Sequence, residues 1–225
     1  MKRKKRSTQF KKLLQQNSQR SLITYQEINH IEKLKSIDKP ILVVMTRWPA
    51  AGRCKHRLAS TIGHETAAAI QARLITHTIK VGKSLTQKGF INLKIAISGL
   101  GPKAAKRWAR KNDLNKGVEI QGEGSLGLRM KKQILIATKH SPVNNLKNRR
   151  RRKIIIIGTD LPTLCELDIF HAIETLDDQE MVIGPSIDGG YWLLGLSESL
   201  LEPVVSWPFS GINWGTKNVL SETLS

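Results

Sequence analysis

The sequence predicts an α/β fold, a three-layer sandwich on a mostly parallel mixed sheet, and three observations carry that prediction. Residues 153–162 read KIIIIGTDLP, with four isoleucines in a row. That run is too short for a membrane span and suits a strand buried on both faces of a parallel sheet. Apolar, strand-like runs also alternate with helical patterns along most of the chain, which calls for parallel strands joined by crossover helices. Finally, the last two strand-like runs are separated by only the SIDGGY turn region at 186–191. So close a spacing permits only an antiparallel pair, added to the C-terminal half of the sheet.

The elements follow in order. Residues 1–39 read as a basic extension, KRKKR at 2–6 and Lys11-Lys12 followed by a Gln/Asn/Ser-rich stretch, too polar to bury a core of its own. Helical spacing of Ile28, Ile31 and Leu34 allows one short helix at 25–35. The domain proper, 40–225, opens with an apolar strand at 41–45 that breaks into Thr46-Arg47-Trp48-Pro49. An amphipathic helix at 65–85, a strand at 91–97, a basic helix at 102–111, a strand at 118–121 and a helix at 126–138 come next. After a cationic loop at 140–152 and the isoleucine strand, a helix is expected at 166–176. Strands at 181–183 and 191–196, an irregular stretch at 206–216 and a helix at 217–224 complete the chain.

Lys and Arg number 37 against 18 Asp and Glu, a net charge of +19 in 225 residues. That balance favours polyanionic or phosphorylated partners, and the basic N-terminus and the run at 147–153 are the expected contacts. Two cysteines, Cys54 and Cys165, exclude a disulfide framework and fit a reducing compartment. No run is long and apolar enough for a transmembrane helix, and the N-terminus lacks the apolar core of a secretory signal. A cytoplasmic location is the expectation.

Three stretches can carry chemistry. PAAGRCKHRL at 49–58 combines Ala51 and Gly52 with Arg53, Lys55 and Arg57; in an extended loop the alternate spacing sets the three cations on one side, toward a diphosphate. The GxxxxGK[ST] spacing of a P-loop is absent. GEGSLG at 122–127 matches GxGxxG, but the strand before it is short and basic residues stand where a ribose-binding acid belongs, so a dinucleotide fingerprint is rejected. A glycine-rich helix start there can still take an anion, with Arg129 one turn in. Gly158 and Asp160 end the isoleucine strand, where open α/β sheets hold ligands; a helix-capping role for Asp160 is the alternative. Asp188, in the turn at 186–190, is a second carboxylate at a strand end. Together Asp160 and Asp188 suit Mg²⁺ or Mn²⁺, which take one or two carboxylates plus substrate phosphates. No His/Cys cluster points to zinc, and no Ser/His/Asp spacing points to a nucleophilic hydrolase. Trp192, Trp207 and Trp214 serve either ligand stacking or C-terminal packing.

In combination these segments resemble the small bacterial GT-A-like glycosyltransferases of the DUF2064, or arsenosugar-biosynthesis, type. Pro49, Ala51, Gly52, Lys55, Arg57 and Leu58 match the first motif of that family; Gly158, Thr159, Asp160 and Pro162 match the second. Gly184, Pro185, Asp188, Gly189, Gly190 and Tyr191 match the third. Departures are His56 for Thr, Ser125 for the Asp of the Gly-Asp-Leu-Gly-x-Arg-Met motif, and Gly215 in the C-terminal Trp-Ser-Thr. The resemblance implies a nucleotide-diphospho-sugar-transferase-like fold and sugar transfer from a nucleoside-diphosphate-sugar donor to an unidentified acceptor. It implies a divalent ion on Asp160, with Asp188 as a second ligand, a base or an acceptor-orienting group. A nucleotidyltransferase on a related fold, and a non-catalytic polyanion or RNA binder, are the alternatives.

Overall fold

A computed structural model describes residues 39–114, 117–139, 152–201 and 211–225. The expected helix at 25–35, most of the cationic run at 147–153, and Trp207 lie outside the described residues. Strand β1 (Ile41–Arg47) is buried at every position except Arg47. It pairs in parallel with β2 (Asn92–Ser98) on one edge and β4 (Lys153–Ile157) on the other. Covered on both faces, β1 and β4 have no solvent side, which is why their sequences do not alternate in polarity.

The six-stranded sheet runs β3-β2-β1-β4-β6-β5, with β3 at Val118–Ile120, β5 at Met181–Pro185 and β6 at Tyr191–Ser197. Only β6 runs against the rest, antiparallel to both β4 and β5. The expected antiparallel addition is therefore present, but β6 is inserted inside the sheet and β5 takes the edge. Burial explains the order: residues 193–197 of β6 are all buried, whereas β5 is half-exposed.

Alternate side chains feed two cores, the period-two pattern of strands. Leu42, Val44, Ile155 and Ile157 pack with residues of α2 (His64–Gln87), α3 (Pro102–Lys111) and α5 (Glu166–Asp178). Ile41, Val43, Met45, Ile154 and Ile156 face Met130, Ile134 and Ala137 of α4 (Leu126–Lys139). The three expected layers result.

Several local expectations change. Residues 49–58 were expected as extended loop, yet α1 (His56–Ile62) begins within them. Ala59 is buried, with Leu58 and Ile62 half-buried beside it, a helical spacing that packs α1 on α2. Lys55 is its N-cap in the left-handed region, φ 46°, so Arg53, Lys55 and Arg57 do not alternate along an extended chain. A short α6 (Glu198–Leu201) follows β6, and α7 (Val219–Leu224) closes the chain. Helix α5 starts at Glu166, and the Asp168 carboxylate accepts the Cys165 N–H at 2.8 Å. Asp168 thus does the capping job considered for Asp160, and Pro162 lies in the loop before the helix.

Candidate active site

Parallel strands deliver their C-terminal ends to one side of a sheet, and β6 starts on that side because it runs the other way. The loop after β1, the Gly158–Asp160 segment after β4 and the turn before β6 therefore converge. The Gly158 N–H donates to the Trp192 carbonyl at 3.0 Å, fixing the exit of β4 against the start of β6.

Lys55 Nζ reaches Asp160 Oδ1 at 3.0 Å, with the lysine 16% and the aspartate 71% exposed. An ion pair this open contributes about 0–1 kcal/mol. Holding a non-glycine residue in the left-handed region costs about 1–2 kcal/mol, and among the described residues only Lys55 and Asp113 do so outside glycine. The pair does not offset its own strain, a pattern that belongs to sites more than to scaffolds. Cys54 beside it is buried and its thiol donates to the Ala50 carbonyl at 3.4 Å, a loop-packing role.

Asp188 sits in a turn closed by Ser186 and Gly190. The Ser186 hydroxyl donates to Asp188 Oδ1 at 2.5 Å, and the Gly190 N–H reaches the same oxygen at 3.3 Å. The Ser186 bond first, then Gly190, with a smaller pull from Arg57, hold this carboxyl below the usual carboxylate range. Asp188 is thus ionised at neutral pH and lies within the field of the first loop. Its neighbour Gly189 has φ 84°, and a Cβ there would run into the Lys217 carbonyl. The Leu220 N–H donates to the Gly189 carbonyl at 2.9 Å, so the C-terminal segment bolts the turn in place.

Arg129 is held by a neutral partner. Its Nη1 donates to Gln121 Oε1 at 2.9 Å, while Gln121 Nε2 is held by the Thr46 and Ala96 carbonyls at 2.8 and 2.9 Å. Burial, then the nearby Arg47 charge, lower the Arg129 pKa. Arg47 Nη1 in turn donates to the Arg53 carbonyl at 3.3 Å. Ser125 caps α4, accepting the Leu128 N–H at 3.3 Å, so it keeps the structural role open to an Asp there and omits its charge.

Arg47, Trp48, Gly52, Arg53, His56, Ser98 and Gly99 line a cavity of about 370 Å³ between the ends of β1 and β2. Gly52 and Arg53, expected at a diphosphate, are among its walls; Ala51 is exposed in the same turn. Arg47, Trp48, Ser98, Gly99 and Gln121 were missed. Their signal was position alone, at or just past the ends of parallel strands. Trp214 packs edge-on to Tyr191, ring centroids 6.3 Å apart, and Trp192 packs against the core; both do packing work.

Two carboxylates are hard oxygen donors that fit Mg²⁺ or Mn²⁺ completed by substrate phosphates. Among the described residues no group of three His, Cys, Asp or Glu is poised to hold a metal without substrate. The cationic run is only partly a surface. Lys153 is buried, its Nζ 2.6 Å from Asp177 and 2.8 Å from the Ile173 carbonyl, and Arg152 pairs with Glu198 at 3.4 Å. Lys153 therefore leaves the expected polyanion contact. Instead Lys103, Lys106, Arg107, Arg110 and Lys111 share one exposed face of α3, opposite buried Ala105 and Ala109.

The family described as "Uncharacterized protein conserved in bacteria (DUF2064)" matches residues 78–216. The chain belongs to this family. The match holds the motifs at 158–162 and 184–191 and Arg129, and begins after the 49–58 loop. This DUF2064 protein also shares its fold with a Desulfovibrio desulfuricans G20 protein described as a "putative nucleotide-diphospho-sugar transferase". Their TM-score is 0.66 at 22% identity, covering 84% of this chain and 74% of that one. No curated protein matches the DUF2064 chain. Its sheet and layers are thus those of a nucleotide-diphospho-sugar-transferase-like fold, and among its described residues no helix is long and apolar enough to cross a membrane.

Proposed function

We propose that this protein transfers a sugar from a nucleoside-diphosphate-sugar donor to an acceptor, with Mg²⁺ or Mn²⁺ bound at Asp160 and Asp188. The observation that supports it most is the Lys55–Asp160 contact at 3.0 Å, which joins the cationic first loop to the carboxylate at the end of β4. Glycosyl transfer expels a nucleoside diphosphate, on which negative charge builds in the transition state. Lys55 and Arg57, preset on the first loop and α1, answer that charge without reorganising. The cation supplies further neutralisation of the diphosphate when bound.

The cavity between the β1 and β2 ends takes the nucleoside, with the Trp48 ring among its walls. Asp188 serves as a ligand or acceptor-orienting group. Its depressed pKa makes it a weak proton acceptor at neutral pH, and an effective general base has a pKa near the working pH. A nucleotidyltransferase reading is disfavoured, because the loop at 49–58 lacks a Gly-Gly-x-Gly-x-Arg form. A product assay separates the two. Incubation with a panel of nucleotide sugars is expected to release nucleoside diphosphate, dependent on Mg²⁺ or Mn²⁺. Release of pyrophosphate from nucleoside triphosphates, with no diphosphate from any sugar donor, contradicts the proposal.

A further inference from the structure

Arg129 carries a charge that nothing described around it answers. Its Nε is buried without a hydrogen-bond partner, and its one described side-chain bond goes to the neutral Gln121. The charge that bears on it is another cation, Arg47, and Gln121, which accepts from Arg129, donates to the carbonyl of Thr46 next to Arg47. Register gives both arginines one face of the sheet: Arg47 follows Val43 and Met45 at the period-two spacing, and both of those pack against α4, which bears Arg129. Neither arginine forms an ion pair with a described residue. Gln121 cannot swing away, since its amide is tied to two strand carbonyls.

A half-buried guanidinium with an orphaned N–H and a like charge bearing on it is costly unless an anion answers it, and planar forks suit the oxygens of phosphate or carboxylate. We propose that Arg47 and Arg129, braced by Gln121, form an oxyanion subsite additional to Lys55 and Arg57. It takes a phosphate or carboxylate other than the donor diphosphate, carried either on the nucleoside end of the donor or on the acceptor. Only that choice of carrier rests on the transferase reading. The subsite itself is tested without turnover, so it can fail while transfer stands, and the reverse.

The experiment titrates inorganic phosphate into the full chain by calorimetry, alone, with saturating pyrophosphate, and with a saturating nucleoside diphosphate. Arg47→Gln and Arg129→Gln are each expected to weaken phosphate binding at least tenfold, while Lys55→Gln and saturating pyrophosphate leave it in place. Arg47 is exposed, so its substitution leaves the fold alone even if Arg129→Gln does not. Phosphate bound alongside the nucleoside diphosphate assigns the subsite to the acceptor; exclusion by the nucleoside diphosphate but not by pyrophosphate assigns it to the donor. Acetate in place of phosphate tells carboxylate from phosphate preference. Phosphate affinity unchanged in both arginine variants, or competition by pyrophosphate, overturns the proposal.

Discussion

Asp160→Asn is expected to lower metal-dependent release of nucleoside diphosphate by about 10²–10³-fold, the loss typical of one electrostatic group at developing charge. Asn keeps the shape of Asp and removes the charge that faces Lys55. Because Asp160 is 71% exposed, the fold loses at most the small worth of an open ion pair. Circular dichroism and the melting temperature should be nearly those of the parent. A variant of full activity shows that Asp160 is a bystander to turnover.

Ile155→Ala is expected to cost about 2–5 kcal/mol of stability, the range for truncating a fully buried isoleucine. Ile155 is 0% exposed in the middle of β4 and pairs across the sheet with Gly195. Gly195 has no side chain to spare: a Cβ there would stand 2.5 Å from Val182 and 3.0 Å from Leu176. With glycine beside it and α5 packed above, little can move in to fill the space. The check is a denaturant melt, with a lower midpoint at unchanged slope. A loss under 1 kcal/mol shows that the layer collapses onto the gap. Because β4 leads directly into Asp160, this variant couples scaffold to site, whereas Asp160→Asn touches the site alone.

The isoleucine run was legible because a strand buried on both faces needs nothing but apolar, β-branched residues. The Asp188 turn was legible from its spacing to the next strand. What escaped was set by tertiary contact. No local pattern says that β6 enters between β4 and β5; that follows from which row of side chains needs two neighbours. Lys153 reads as the end of a basic run, and only its contact with Asp177 shows it to be a fold residue. Lys55 and Arg57 were picked for charge on an extended loop, and that geometry does not hold. Lys55 reaches Asp160, and the charge of Arg57 bears on Asp188, because α1 turns the chain at a left-handed Lys55. Arg129 was read as an anion contact one turn into its helix, and the partners that hold it there, Gln121 and the Arg47 charge, stand 8 and 82 positions away in sequence.

In the proposed reaction Asp160 anchors a cation that binds the donor diphosphate. Calorimetry with nucleoside diphosphates of all four bases, with and without Mn²⁺, tests it on the parent chain and on Asp160→Asn. Mn²⁺ is expected to tighten binding at least tenfold in the parent and to have no effect in the variant. Mn²⁺-dependent affinity that is the same in both contradicts it and leaves Asp160 as the partner of Lys55 alone.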